Sequence, residues 1–433
     1  MSTIHSKPNE QRVVITGMGI VTTLGENLEE YRCALQAGRS GVTTWKTTEE
    51  RGYSKIGGDM SGFDIQQHLA TLGNAYPPHL TKAARKLLRK TPLAGSMTTA
   101  AALQAYVDAG LSDQPLPPER IGHTLAGHNL NMPYICKNEQ IFQQEPEDID
   151  ALFGLLHVDT DILAAIAELL NLRGPCFSVG GACASGNLAL LSALDQLRAG
   201  RAEVMVVSGA PHALTPVVLQ GWAMLQVIAM RSFNERPAEA SRPFDRRREG
   251  FVPSEGAGAV VLETLASAQR RGVRIYGELL GAASTSNASR LPHPDVEAQV
   301  RVMQNALDDA GAPREAVDYI NAHATSTEAG DAVEVEAIKQ LFGARAYTIP
   351  VNATKSLVGH CLTAAGLVEL IAVLLQMQHN FLHPTINLTD PDPALDLDFV
   401  PNQARPYAMQ LALSNAFGFG GLNACVAVGR MAN

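Results

Sequence analysis

The sequence predicts an α/β protein built from two similar halves. Three observations carry that expectation. Short apolar runs bounded by glycine alternate with helical periodicities, the alternation is run through twice, and a glycine-rich stretch leads into the last strand of each half. In the first half Arg12 to Ile20 reads as a strand, and the small-residue turn from Ser178 opens into a helix over Leu188 to Leu197. Val204 to Val207 is the next strand, and Gly256 to Glu263 closes the half. In the second half Val317 to Ala322 is a strand, Ala332 to Leu341 and Leu362 to Leu375 are helices, and Gln410 to Ser414 and Leu422 to Gly429 are the closing strands. The division falls at 1–264 and 265–433. Residues from about 45 to 160 interrupt the first half with helical segments, among them Pro77 to Gly110 and Asp148 to Leu172, and read as an insertion.

Composition bounds the rest. A chain of 433 residues, 46% hydrophobic, 5% aromatic and 18% charged, can bury a substantial core and fits no disordered class. Six cysteines occur without a C-x-x-C pairing, so no zinc framework is indicated and the thiols read as reduced, in the cytoplasm. Cys33, Cys136, Cys176 and Cys425 read as small buried hydrophobes. Met1 to Gln11 is polar, has no apolar signal region and reads as a disordered tail, and no apolar run approaches the roughly 20 residues of a membrane helix. The net charge of −9, with no aromatics interleaved among basic residues, argues against nucleic-acid binding.

The chemistry concentrates in three places. Cys183 sits in Ser178-Val-Gly-Gly-Ala-Cys183-Ala-Ser-Gly-Asn187, where a glycine-rich turn enters a helix. Gly180 and Gly181 are expected to clear a substrate's approach to the backbone. A helix N-terminus offers N–H groups and a dipole that favour a thiolate and can hold an oxyanion. A thiolate nucleophile needs acid–base and electrophilic partners. His323 follows the strand Val317 to Ala322 and opens His323-Ala-Thr-Ser-Thr-Glu-Ala-Gly-Asp331, placing it at a strand's C-terminal end, where α/β sheets carry their chemistry. His360 lies in Asn352-Ala-Thr-Lys355-Ser-Leu-Val-Gly-His360-Cys-Leu-Thr-Ala-Ala-Gly366-Leu-Val-Glu369, and two charges in so apolar a stretch predict a Lys355–Glu369 ion pair beside the imidazole.

These residues resemble the β-ketoacyl-acyl-carrier-protein synthases, the condensing enzymes of fatty-acid and polyketide assembly, and above all their elongating Cys-His-His branch. The likeness runs nearly end to end, from Arg12-Val-Val-Ile-Thr-Gly-Met-Gly19 through Ser241-Arg-Pro-Phe-Asp-Arg-Arg-Arg-Glu-Gly-Phe251 to Ser414-Asn-Ala-Phe-Gly-Phe-Gly-Gly-Leu-Asn423. The resemblance implies the thiolase fold, two βαβαβαββ-type halves in five αβαβα layers, with the stretch 45–160 as a helical cap over an acyl pocket. It implies an acyltransferase in which Cys183 carries the acyl group and His323 and His360 serve the enolate left by decarboxylation of malonyl carrier protein. Lys355 and Glu369 become a supporting charge pair, the N–H groups of Cys183 and Phe419 an oxyanion hole, Phe419 a gate, and Thr325 and Thr327 the holders of a phosphopantetheine arm. No resident cofactor or metal is implied, since the carrier protein brings the phosphopantetheine. A homodimer is the family habit, and a heterodimer with a related subunit stays open.

A second signal is electrostatic. Thr81 to Lys90 concentrates Lys82, Arg85, Lys86, Arg89 and Lys90 at spacings that fall on one side of a helix, a basic stripe on an acidic protein that suits an acidic partner. By the resemblance that partner is the acyl carrier protein, and Arg246-Arg247-Arg248 is a candidate extension. The chain departs from the family pattern at Ala324, where Gly is usual, at Leu422, where Thr is common, and at Pro253-Ser254, where Gly with an acid is usual. Ala126-Gly-His-Asn-Leu-Asn-Met132-Pro-Tyr134 is bulkier and more polar than the small loop of housekeeping members, which predicts a shaped, shorter pocket and a specialised biosynthetic role. Three alternatives remain at this stage. A malonyl-carrier decarboxylase would resemble this chain but carry Ser as nucleophile, a chain-length-factor-like partner subunit would lack the nucleophile, and a thiolase would use a second Cys near the C-terminus, where this chain has Asn415-Ala-Phe-Gly-Phe. Fatty-acid and polyketide pathways are not separated by the sequence.

Overall fold

The computed structural model describes residues 8, 9, 11–46 and 52–431, so most of the expected N-terminal tail lies outside the described residues. Ten strands form one mixed sheet. They are β1 (Val13–Thr22), β2 (Ile121–Ala126), β3 (Cys176–Val179), β4 (Val204–Gly209), β5 (Gly256–Thr264), β6 (Gly277–Ser286), β7 (Tyr319–Asn321), β8 (Val351–Asn352), β9 (Leu411–Gly418) and β10 (Leu422–Gly429). Their spatial order is β8-β7-β9-β10-β6-β1-β5-β4-β2-β3. Read outward from the middle, β1-β5-β4-β2-β3 and β6-β10-β9-β7-β8 are the same five-strand arrangement twice. In each, the first two neighbouring pairs are antiparallel and the last two parallel. The halves meet where Val13–Ile15 pairs antiparallel with Gly277–Leu279.

Two helices fill the space between the halves: Ser185–Arg198, called α1 here, and Ala365–His379, called α2. Each is preceded by a 3₁₀ turn, Ala182–Ala184 and Leu362–Ala364, whose first residue is left-handed (Ala182 φ 47°, Leu362 φ 52°). The two helices cross at glycines, because a Cβ on Gly186 would lie 2.8 Å from the Gly366 Cα. Close backbone approach there fixes both helix starts, and with them the turns that carry chemistry. The outer faces are covered by Leu93–Asp108, which packs on β1 and β5, and by Val296–Ala310, which packs on β6 and β10. The apolar faces of these elements make three large buried clusters.

Two expectations need correction, on the insertion and on the cysteines. The stretch 45–160 is not one insertion, because Leu93–Asp108 and β2 belong to the repeated plan; the additional helical matter is Ile65–Thr71 and Pro78–Leu87 on one side of it and Met132–Gln144 and Phe153–Leu156 on the other. Leu362–His379 is by length and apolarity a possible membrane span, with a mean hydropathy of 1.4, but 89% of it is buried, so it is the core helix α2 and its turn. Cys425 is buried as expected, whereas Cys33 and Cys176 are exposed and Cys136 is intermediate. Cys176 surfaces because β3 is the outermost strand of its half and presents one face outward.

Candidate active site

Cys183, His323 and His360 come together in one cavity of about 470 Å³, although they lie in three separate parts of the chain. Cys183 is the middle residue of the turn ahead of α1, and the left-handed Ala182 before it makes the chain bend sharply so that the thiol faces the cavity. That conformation costs an alanine roughly 1–2 kcal/mol. The Ser185 hydroxyl ties the bend together, accepting from the Gly181 N–H at 2.9 Å and donating to the Ala182 carbonyl at 2.7 Å. Gly181 serves packing rather than substrate approach, since its Cβ would lie 2.3 Å from the Leu188 side chain.

The main-chain N–H groups of Phe419 and Cys183 lie near the Cys183 sulfur and favour its ionised form. Burial nonetheless pushes the thiol up to about 11, and the Lys355 charge and the two N–H groups only partly oppose it. The helix-start expectation of a resting thiolate is therefore reversed, because desolvation outweighs the local donors.

His323 and His360 stand edge to face with ring centroids 5.4 Å apart. The Leu362 N–H donates to His360 Nδ1 at 3.2 Å, so the neutral ring carries its proton on Nε2, an atom that is buried with no protein partner. Burial first, and the Lys355 charge second, hold both imidazoles well below the usual histidine range. Lys355 Nζ meets Glu369 Oε1 at 2.5 Å with both side chains buried, and Asn321 Nδ2 donates to the other Glu369 oxygen at 3.0 Å. Val252 and Ser254 grip the His360 main chain on both sides: the His360 N–H donates to the Val252 carbonyl at 2.7 Å, and the Ser254 N–H to the His360 carbonyl at 2.9 Å. The departure at Pro253-Ser254 thus keeps the histidine anchored.

Glu334, unassigned from sequence, anchors His323. Its two oxygens accept the N–H groups of His323 at 2.8 Å and Ala324 at 2.7 Å, and Asn415 Nδ2 at 3.0 Å. The available signal was that Asp331, Glu334, Val335 and Ile338 share the buried face of the helix Glu328–Phe342, where a carboxylate needs main-chain partners. Ala324 has φ 27°, which accounts for the usual Gly at that place.

Thr325 and Thr327 line the cavity with hydroxyl oxygens 3.1 Å apart, and Thr327 also caps its helix by accepting the Gly330 N–H. Phe419, 36% exposed, stands at the cavity's edge before Gly420 and Gly421, both at positive φ. Lys82, Arg85 and Lys86 project outward from Pro78–Leu87, but the helix ends before Arg89 and Lys90, which are exposed in the following turn. Among the described residues none of the five forms an ion pair. Of the Arg246–Arg248 run, Arg248 is buried against Asp392 and Asp331 and presents no charge to a partner, while Arg247 and Arg246 are exposed and engage Asp245 and Asp390.

The whole-chain comparison agrees with this constellation. The family models described as the N-terminal and C-terminal domains of beta-ketoacyl synthase match residues 10–268 and 276–389. The chain belongs to the β-ketoacyl synthase family. Its fold is accordingly the thiolase fold. This β-ketoacyl synthase is 36% identical to 3-oxoacyl-[acyl-carrier-protein] synthase 2 of Coxiella burnetii (strain RSA 493 / Nine Mile phase I) over 425 residues, 98% of this chain and 99% of that one. It is 32% identical, over 98% of its own length and 97% of the relative's, to the polyketide biosynthesis malonyl-ACP decarboxylase PksF of Bacillus subtilis (strain 168). A solved complex, described as a type II PKS acyl-carrier protein with its ketosynthase bound to the hexaketide (AntDE:AntF), has a chain that superposes with a TM-score of 0.84 at 29% identity, covering 97% of this chain and 99% of that one.

Proposed function

We propose that this β-ketoacyl synthase joins an acyl group to a malonyl unit by decarboxylative Claisen condensation, with acyl carrier protein as the donor of both. The observation that carries the reading is the Cys183 sulfur facing a cavity that it shares with two neutral histidines, with the main-chain N–H groups of Cys183 and Phe419 beside it.

Each step has a group for it. The Cys183 thiol gives up its proton as it attacks the carrier thioester, the new carbon–sulfur bond forms, and the pantetheine thiolate leaves and takes up that proton. The N–H groups of Cys183 and Phe419 receive the oxyanion of that tetrahedral state, where fixed donors in a dry site are worth most. Malonyl carrier protein then follows, its arm steadied by Thr325 and Thr327. The bond to its carboxylate breaks, CO2 leaves, and the electron pair passes to an enolate whose oxygen takes hydrogen bonds from His360 Nε2–H and His323. Neutral imidazoles suit this task because they donate without first losing a charge to the product. The enolate carbon attacks the acyl carbon, the Cys183 thiolate leaves, and β-ketoacyl carrier protein is released. Lys355 and Glu369 set the field, and Phe419, followed by Gly420 and Gly421, gates entry. The exposed basic side chains at 82–90 meet the acidic carrier. No resident cofactor or metal enters this scheme. The protein works in the cytoplasm as a homodimer.

The decarboxylase activity of the Bacillus subtilis relative is the second reading, favoured by its 32% identity across nearly the whole chain. Malonyl carrier protein labelled in its free carboxylate, supplied with and without an acyl carrier thioester, separates them. The condensing reading expects labelled CO2 and β-ketoacyl carrier protein in equal amounts, with the latter lost in Cys183→Ala. Labelled CO2 with acetyl carrier protein as the sole product, whatever acyl donor is present, refutes it.

A further inference from the structure

Cys183 stands between two environments. On one side lies the cavity just described, bounded by Thr325, Thr327 and Phe419. On the other lies a packed cluster in which Cys183 contacts the neighbourhood of Ala223, Ile228, Phe251 and Leu362, with Leu214, Trp222 and Met230 against them. Phe251 belongs to both, while Trp222, Leu214 and Met230 contribute nothing to the cavity wall.

Trp222 holds this second side shut through ring contacts in both directions. Its indole lies edge-on to Phe251 at 5.5 Å, and Phe251 lies edge-on to His360 at 5.4 Å. In the other direction Trp222 is 5.7 Å from His212, which is 5.7 Å from His128. The His128 ring lies over Gly180, 3.4 Å from where a Cβ would stand, three residues before the nucleophile. The polar loop singled out by the sequence is thereby locked in place: Asp159 accepts the Asn129 and Leu130 N–H groups at 2.8 and 2.7 Å. Burial keeps the His212 imidazole neutral, pulling it down to about 4, with His128 adding to the effect.

Resting on the reading of Cys183 as the acyl carrier, we propose that Trp222, backed by His212 and His128, is the floor of the acyl site and restricts the enzyme to short acyl groups, of the acetyl to butyryl class. The cavity has to hold the pantetheine arm and, in the second half-reaction, the malonyl unit as well. The acyl chain is therefore left the cluster side, where Ala223, Ile228, Phe251 and Leu362 are buried around Cys183 and Leu214, Trp222 and Met230 pack against them partly buried, leaving little room for a long chain. The far end of that side is two imidazoles rather than an apolar tunnel, a poor match for the methyl end of a long chain.

The test is intact-protein mass spectrometry of Cys183 loading from acetyl, butyryl and octanoyl carrier thioesters, in wild type, Trp222→Ala and Trp222→Phe. Each excess methylene in a closed pocket is worth about tenfold or more in rate, so wild type loads acetyl and butyryl and takes octanoyl far more slowly. Trp222→Ala opens a space on the order of 150 Å³, enough for a six-carbon ring, and gains octanoyl loading by at least about tenfold. Trp222→Phe keeps a ring and the fold, and is expected to fall between the two. Wild type that loads octanoyl as fast as acetyl overturns the proposal, as does Trp222→Ala that keeps acetyl loading without gaining octanoyl. If no chain length loads on wild-type Cys183, the acyl-carrier reading itself has failed, and the floor with it.

Discussion

Replacing Lys355 by Met removes the ammonium while keeping the length of the side chain, and strands Glu369 in the core with Asn321 as its remaining partner. Breaking a buried ion pair from one side costs about 3–5 kcal/mol, because the surviving charge is left without compensation. With an unfolding entropy of about 2.1 cal/mol/K per residue, a chain of 433 residues converts that loss into a fall in melting temperature of roughly 4 °C. The loss is expected to depend on pH in a definite direction. Burial already raises the Glu369 carboxyl above its usual value against the pull of Lys355 and Asn321. Without Lys355 it rises further, so the folded variant binds a proton more tightly than the unfolded chain does. Its deficit is therefore small below the ordinary carboxylate range and grows as pH rises towards the raised value. Melting curves of variant and wild type between pH 5 and pH 8 are the assay, and the gap should widen with pH. A second readout is alkylation of Cys183, followed on its own peptide because Cys33 and Cys176 are exposed. Lys355 pulls the thiol down from where burial would set it, so the variant should alkylate more slowly at a fixed pH. A variant as stable as wild type at pH 8, with Cys183 reacting at the wild-type rate, refutes the reasoning.

Other outcomes follow from the same geometry. Glu334→Ala leaves the His323 and Ala324 N–H groups and the Asn415 amide without their acceptor, at about 1–3 kcal/mol for each group that stays dry; turnover should fall while KM for the carrier is little changed. His360→Ala removes a fixed donor from the enolate site, and CO2 release from malonyl carrier protein should drop by about 10²–10³. Lys82→Glu combined with Arg85→Glu and Lys86→Glu should raise KM for the carrier, and the effect should fade between 0.1 M and 1 M salt, as the screening length shrinks from about 10 Å to about 3 Å. A salt-independent change in KM would contradict a surface electrostatic origin.

What the sequence disclosed and what it withheld divide along physical lines. The nucleophile and its histidines were legible because each sits at the end of an element in an unusual local composition: glycines before Cys183, hydroxyls after His323, a buried lysine before His360. The β-strand pairing of the halves was visible only as a repeated order. The structure adds that Ala182-Cys183-Ala184-Ser185-Gly186 and Leu362-Thr363-Ala364-Ala365-Gly366 are equivalent turns, and that Thr363, at the counterpart of the nucleophile, is tied off by donating to the Ala210 carbonyl at 2.8 Å. Glu334 escaped notice because two of its three partners are main-chain groups outside its helix, which leave no trace in side-chain composition. The thiol's ionisation was misjudged for a related reason. The helix start is local, whereas the burial that outweighs it comes from Phe251, Leu362 and Trp222, distant in sequence. Arg248, read with its neighbours as surface, is structural, since its aspartate partners at 331 and 392 lie more than eighty residues away.

The condensing assignment is tested most directly by a chase. Enzyme preloaded with an acetyl group on Cys183 is mixed with malonyl carrier protein, and the masses of enzyme and carrier are followed together. Loss of the Cys183 adduct, matched one for one by β-ketoacyl carrier protein, is the expected result. Persistence of the adduct while malonyl carrier protein turns into acetyl carrier protein would contradict it.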